Sequence, residues 1–272
     1  MRRSSGFTLT ELAVVMTIVA FLLASLMYTL SAQTDQRNFE ETRRRLEQAR
    51  ELVLAFAVAN GRLPCPARSA ATAAPATQIG DEVRNTPGDP DCIGDAVTDY
   101  YGGTSGGVTL GLLPARTIGF QQVNSAGLAI DAWANPIRYA VAHLATGCTG
   151  TLTYPHWTNA TNLKTNGIGC QPNDLLVCKS ASGITATTCG GAANQIMSQS
   201  LVVAIIYSTG KNGGTPTGGT GLDEAANLNG DRIYVLHSPT PSDFVNGEFD
   251  DQMVWITTGE LYGKLIAAGV LP

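Results

Sequence analysis

The chain has 272 residues, 44% hydrophobic against 14% charged, and a formal net charge of −5. That length and apolar content suffice for one large domain or two small ones with a real core, and they exclude a disordered tail. The negative balance argues against a general nucleic-acid binder, which needs a basic surface to neutralise phosphates, so no nucleic-acid partner is expected.

The first six residues read "MRRSSG", and an apolar run "FTLTELAVVMTIVAFLLASLMYTLS" follows from Phe7 to Ser31. At about 25 residues the run is long enough to cross a bilayer as a helix, and Arg2 and Arg3 before it keep its first end cytoplasmic. A cleaved secretory signal would have a core of about 7 to 15 residues and small residues at the cut; this run is longer, and "TLSAQ" is a poor cleavage site. A plain signal anchor explains the length but not Glu11. A carboxylate at a span's centre costs on the order of 2.5 to 3.5 kcal/mol, and less nearer an end, as here.

A short basic leader ending in Gly6, then Phe7, then Glu11 as the fifth residue after that point, then an unbroken apolar helix, resembles the type IV pilin and type II secretion pseudopilin superfamily. The resemblance implies cleavage between Gly6 and Phe7 by a prepilin peptidase, which also N-methylates Phe7. It implies assembly with other pilin or pseudopilin subunits. Glu11 is then a register device: a buried carboxylate is tolerable when paired, and its partner would be the Phe7 amine of a neighbouring subunit.

The helix is expected to continue. "AQTDQRNFEETRRRLEQARELVLAFAVANG" has no Pro, and no Gly before Gly61. Phe39, Thr42, Leu46, Ala49, Val53, Phe56 and Ala57 recur at three- and four-residue steps and form one apolar face. Arg43, Arg44 and Arg45 stand among Glu40, Glu41 and Glu47, which reads as a solvated, ion-paired face rather than a nucleic-acid patch. Gly61 suits the helix C-terminus, and Pro64 and Pro66 prevent continuation.

Residues 67–110 are rich in Ala, Thr, Gly and Asp and predict a long irregular segment. Strand-like runs follow: "IRYAVA", "TLTY", "DLLVCK", "SLVVAIIYST", "DRIYVLHS" and "QMVWIT", expected to form an antiparallel sheet. "TTGELYGKLIAAG" predicts a short closing helix, with Thr257 and Glu260 as a capping box and Gly269 at the far end. The expected fold is α+β and pilin-like: a leader at 1–6, a transmembrane and filament-core helix at 7–31, its amphipathic continuation at 32–61, and a β-rich extracytoplasmic domain at 62–272 with long disulfide-bonded loops.

Six cysteines at wide spacing behind a membrane signal favour disulfides in an oxidising compartment. The expected pairs are Cys65 with Cys92, Cys148 with Cys170, and Cys178 with Cys189. Buried free thiols are the plain alternative, and a zinc site lacks close ligand pairs. His143, His156 and His237 read as single structural or surface residues, and Trp133 and Trp255 as core aromatics. "GGTSGG" carries the G-x-S-x-G pattern of a nucleophile elbow without a convincing strand before it or helix after it.

The superfamily resemblance continues in patches. "DAWANPIRYAV" is similar to the D-x-W-G-x-P-x-x-Y segment of major pseudopilins, with Ala134 where glycine is usual. "YSTGKNGG" and "FDDQMVW" are similar to the pieces that flank a calcium loop there, though the stretch between them is far longer in this chain. The acidic and amide residues Asp223, Glu224, Asn227, Asn229, Asp231, Asp250 and Asp251 are accordingly a candidate calcium site, or a solvated loop. Asp251 aligns best with a ligand when Trp255 is the anchor. Asp250, Asp231, Asn229 and Asp223 rank behind it, because adjacent side chains on an extended strand point to opposite faces.

The expectation is therefore a minor pseudopilin or minor pilin, not an enzyme, held in the inner membrane with its globular domain in the periplasm. The rival is a membrane-anchored extracytoplasmic enzyme or binding module with a pilin-like N-terminus.

Overall fold

The computed structural model describes residues 8–70, 72–73, 76–84, 92, 98–105, 107–148, 155–214, 219 and 221–271, with the backbone alone at 25–32, 72–73, 76–77, 98–99 and 104–105. Gly6, Phe7 and the expected strand at Thr151–Tyr154 lie outside the described residues. The chain divides into two compact units, Met1–Glu41 and Thr42–Pro272.

Fifty-two residues without Pro or Gly form one helix, Leu9–Asn60. It ends where expected: Gly61 takes a left-handed φ of 69°, and its N–H donates to Ala57 O at 2.8 Å. In the first unit the side chains of residues 8–24 are exposed, among them Leu9, Val14, Met16, Phe21 and Leu22. Among the described residues no helix is long and apolar enough to cross a membrane. The segment expected to do so, 7–31, runs into residues whose side chains are not described.

In the second unit the helical stripe is real. Thr42, Leu46, Ala49, Val53 and Ala57 are buried, joined by Leu54, while Phe56 is half-buried. All but Thr42 share one apolar core with Ile137, Tyr139, Val141, Ile205, Ile206, Trp157 and Leu261. Arg45 is not simply solvated. It donates to Ile130 O and Asp131 O at 3.1 and 2.6 Å, so it ties the helix to a turn 85 residues away. Arg50 likewise donates to Trp255 O at 3.0 Å and to Glu260 at 2.5 Å.

The main sheet has three antiparallel strands in the order Gln252–Thr257, Val202–Ser208, Arg138–Val141. Every residue of the central strand is buried, which its uninterrupted apolar run "VVAIIY" anticipates. A second three-stranded sheet is mixed. Leu176–Cys178 pairs antiparallel with Gln195–Met197 but parallel with Ile233–Val235. The expectation of one antiparallel sheet is corrected there, since the chain returns to the second sheet only after passing through the first. The acidic segment also holds a helix that was not expected, Leu222–Leu228. Gly103–Ser105 is one strand of a hairpin with Val108–Leu110, so the G-x-S-x-G pattern is no nucleophile elbow. Trp133 and Trp255 are only half-buried; Trp255 still packs against the main core, as expected, Trp133 is not part of it, and the fully buried tryptophan is Trp157.

The closing helix, Thr258–Ala267, has Thr257 Oγ1 accepting from Glu260 N at 3.3 Å. The reciprocal half of the capping box is absent from its bonds, because the Glu260 carboxylate goes to Arg50. At the other end Gly269 N donates to Ile266 O and Val270 N to Leu265 O, both at 2.9 Å, a Schellman arrangement. Three disulfides close the loops: Cys65–Cys92, Cys148–Cys170 and Cys178–Cys189.

Candidate functional site

The N-terminal site starts from four residues, Thr8-Leu9-Thr10-Glu11. Thr8 N donates to Glu11 Oε2 at 2.9 Å, Thr8 Oγ1 donates to the same oxygen at 2.8 Å, and Glu11 N donates back to Thr8 Oγ1 at 3.3 Å. This is a complete capping box, the T-x-x-E signal that the sequence carried unnoticed. It fixes the carboxylate at the positive end of the helix, in its first turn. Glu11 therefore has a use inside its own chain, as the cap of its helix.

The second site is built by the turn at Asp131, the loop after the central strand, the helix Leu222–Leu228 and the residues that lead into the last strand. Asp131 Oδ1 accepts from Trp133 N and Asn135 N at 2.9 and 2.8 Å, and Ser208 Oγ donates to Oδ2 at 2.6 Å. The turn so closed places Ala134 at a φ of 66°, a left-handed conformation that glycine would adopt without strain. Asn135 then reaches across to donate to Gly210 O at 2.7 Å.

Against Gly210 stands Asp250, and beside it Glu224 and Asp251. One carboxylate oxygen from each of these three lies within 4.8 Å of the other two, and all three residues are buried. Each carboxylate is held by one oxygen. Asn227 Nδ2 donates to Asp251 Oδ2 at 2.6 Å, Lys211 N to Asp250 Oδ2 at 2.9 Å, and Asn212 Nδ2 to Glu224 Oε1 at 2.9 Å. The other oxygens, Asp251 Oδ1, Asp250 Oδ1 and Glu224 Oε2, are buried without a hydrogen-bond partner among the described residues, as is Asn212 Oδ1. A Cβ at Gly210 would overlap Asp250 Oδ1, and one at Gly219 would overlap Glu224 Oε2. The glycines of the loop thus let two carboxylates approach the backbone closely.

Burial pushes the Asp250 carboxyl up to about 7, and the charge of Glu224 adds to the rise. Burial also raises Glu224, and it raises Asp251 well above the ordinary carboxylate range. Three buried carboxyls with unused oxygens need either protons or a cation. The oxygen-only donor set suits a hard divalent ion.

The residues ranked for this role divide. Asp251 and Asp250 are together in the cluster; they do not point to opposite faces, because the strand begins only at Gln252. Asp231 and Asn229 are elsewhere, bonded to each other at 2.8 Å with Asp231 Oδ1 accepting from Ile233 N. Asp223 is also separate. Its oxygens accept from Ala181 N at 2.5 Å, from Asn246 Nδ2 at 3.1 Å, and face His237 Nε2 at 3.1 Å. Neighbouring helix positions face about 100° apart, so Glu224, not Asp223, turns towards Asp250 and Asp251.

Comparison with curated proteins finds no match, and comparison with solved structures finds none. Residues 1–27 match the family model described as the prokaryotic N-terminal methylation motif. The motif implies processing by a prepilin peptidase and assembly with other pilin subunits, and it is consistent with membrane anchoring. The chain carries the type IV pilin and pseudopilin signal.

Proposed function

We propose that this chain is a minor pilin or minor pseudopilin: a structural subunit, not an enzyme, of a pilus-like or type II secretion filament. It is inserted once in the inner membrane through residues 7–31, with the globular domain in the periplasm. A prepilin peptidase cuts between Gly6 and Phe7 and methylates Phe7. The freed subunit assembles through its N-terminal helix. Thr8 holds the Glu11 carboxylate before assembly, and the Phe7 amine of a neighbouring subunit takes it over within the filament. That exchange keeps the charge paired in an apolar bundle. The second unit, with over 200 residues, is large for a repeating subunit, which favours a minor position.

The observation that carries this reading is the match of residues 1–27 to the N-terminal methylation motif, a stretch that contains Gly6, Phe7 and Glu11. Its test is Gly6→Leu in cells co-expressing a prepilin peptidase. The wild-type chain is expected to shorten by the six-residue leader, whereas the variant stays at precursor size. A variant that still reaches the mature size contradicts the assignment.

The same proposal gives the globular domain a calcium ion held by Glu224, Asp250 and Asp251, with Asn212 as a further oxygen donor. The ion would fasten the glycine-rich stretch between residues 209 and 224 to the end of the sheet. The support is the set of buried carboxylate oxygens without partners around one point.

A further inference from the structure

His156 is fully buried, and among the described residues neither of its ring nitrogens has a hydrogen-bond partner. A neutral imidazole has one N–H to donate and one lone pair to accept with, and leaving either unmet in a core costs about 1–3 kcal/mol. A side chain placed there for packing alone would be better apolar. Its ring packs edge-on against Trp157, with centroids 4.8 Å apart. A ligand nitrogen of this ring and the sulfurs of Cys148 and Cys170 all lie within 4.8 Å of one another. Cys170 is fully buried too, and its carbonyl is fixed by the Tyr262 hydroxyl at 3.0 Å. The expectation that zinc lacked close ligand pairs rested on sequence spacing; the fold brings together residues that spacing separates.

We propose that Cys148, Cys170 and His156 form a Cys2His site for zinc in the dithiol state, and that the Cys148–Cys170 disulfide is the metal-free, oxidised form of the same site. The inference is independent of the filament reading. Opening the disulfide takes two electrons from an external dithiol: the Sγ–Sγ bond breaks, each sulfur gains a proton, and the reductant leaves as its own disulfide. Zinc then displaces both protons, forming two Zn–S bonds of ~2.3 Å and a Zn–N bond of ~2.0–2.1 Å, with water in the fourth position. Two thiolates, one Zn2+ and a neutral imidazole sum to no net charge, which suits a buried place. Burial keeps the imidazole neutral by lowering its pKa to about 4. The Glu224–Asp250–Asp251 cluster differs in kind, having only hard oxygen donors.

The test uses the full chain in detergent, reduced with a dithiol, desalted without oxygen, and titrated with Co2+ and then Zn2+. A cobalt–thiolate charge-transfer band is expected in the reduced chain and displaced by zinc, with none in the oxidised chain. His156→Leu, an apolar replacement that removes the unmet nitrogens, should weaken cobalt binding by roughly tenfold or more. The same band with the same affinity in that variant would overturn the proposal. A readout that needs no variant is alkylation mapped by mass spectrometry on the reduced wild type. Compared with the metal-free reduced chain, zinc should slow labelling of Cys148 and Cys170 and leave the rates at Cys65, Cys92, Cys178 and Cys189, which are buried with or without it, unchanged; no zinc-dependent change at Cys148 and Cys170 would overturn the proposal even if the variant failed to fold.

Discussion

Raising the pH from 6.5 to 8 in chelator should destabilise the globular domain, and calcium should remove the effect. Asp250 and Asp251 have folded pKa values above their unfolded ones, so the native state binds more protons than the unfolded chain and stability falls as pH rises. His143 and His156 shift the other way through burial, and they act on the acid side, below their ordinary value of about 6.5. At pH 6.5 the unfolded imidazoles are still about half protonated, so each returns at most ~0.4 kcal/mol as the pH rises to 8, against the loss from the carboxyls. Asp251, raised well above the ordinary carboxylate range by burial, holds its proton to a higher pH in the fold than in the unfolded chain and lowers stability in the same direction. Asp250, pushed up to about 7, adds less than ~1 kcal/mol as it finishes titrating. For a domain of this size each kcal/mol lost lowers the melting temperature by roughly 2–4 °C. Calcium replaces the protons, so its curve should be flat or rising, and at a hundredfold excess over Kd it adds ~2.7 kcal/mol. The assay is thermal unfolding followed by circular dichroism across the pH series, on the wild type and on Asp251→Ala. Identical melting curves with calcium and with chelator at pH 8 would refute the cation site. A chelator curve that rises from pH 6.5 to 8 would refute the charge argument beneath it.

Ala134→Gly should stabilise the domain. A left-handed alanine costs ~1–2 kcal/mol, and glycine returns ~0.4–1 kcal/mol to the unfolded chain, so a net gain of ~1 kcal/mol, or about 2–4 °C, is expected in thermal unfolding; a loss would mean the turn does not hold the φ of 66°. Glu11→Ala should leave membrane insertion and cleavage intact and reduce co-assembly with partner subunits, measured by crosslinking. Glu11→Gln separates the two uses of the side chain, because it keeps the bond from Thr8 and removes the charge. Normal assembly of Glu11→Gln would reduce Glu11 to a helix cap.

The helix and its buried stripe were legible because Leu46, Ala49, Val53 and Ala57 repeat at a period only a helix satisfies. The central strand was legible from its length and β-branched content, and the closing helix from Thr257 and Gly269. Long-range partners were not. Nothing local to Arg45 says that its guanidinium will meet carbonyls of the turn at residues 130–131. The parallel pairing of Ile233–Val235 with Leu176–Cys178 spans more than fifty residues and leaves no periodic trace. The helix Leu222–Leu228 went unread because Gly221 offers no side-chain cap and the segment is rich in Asp and Asn, which favour turns. At the cation cluster the residue types were visible, but choosing Glu224 over Asp223 depends on that unread helix. His156 reads in the sequence as a single structural or surface residue, because a lone histidine looks the same there whether or not its nitrogens find partners.

The central claim is that this chain is matured as a prepilin. Intact-mass and N-terminal peptide mass spectrometry of the protein purified from membranes tests it most directly. Maturation predicts a chain beginning at Phe7 and carrying one added methyl group on its α-amine. A membrane-bound population that still begins at Met1, in cells with an active prepilin peptidase, would contradict it.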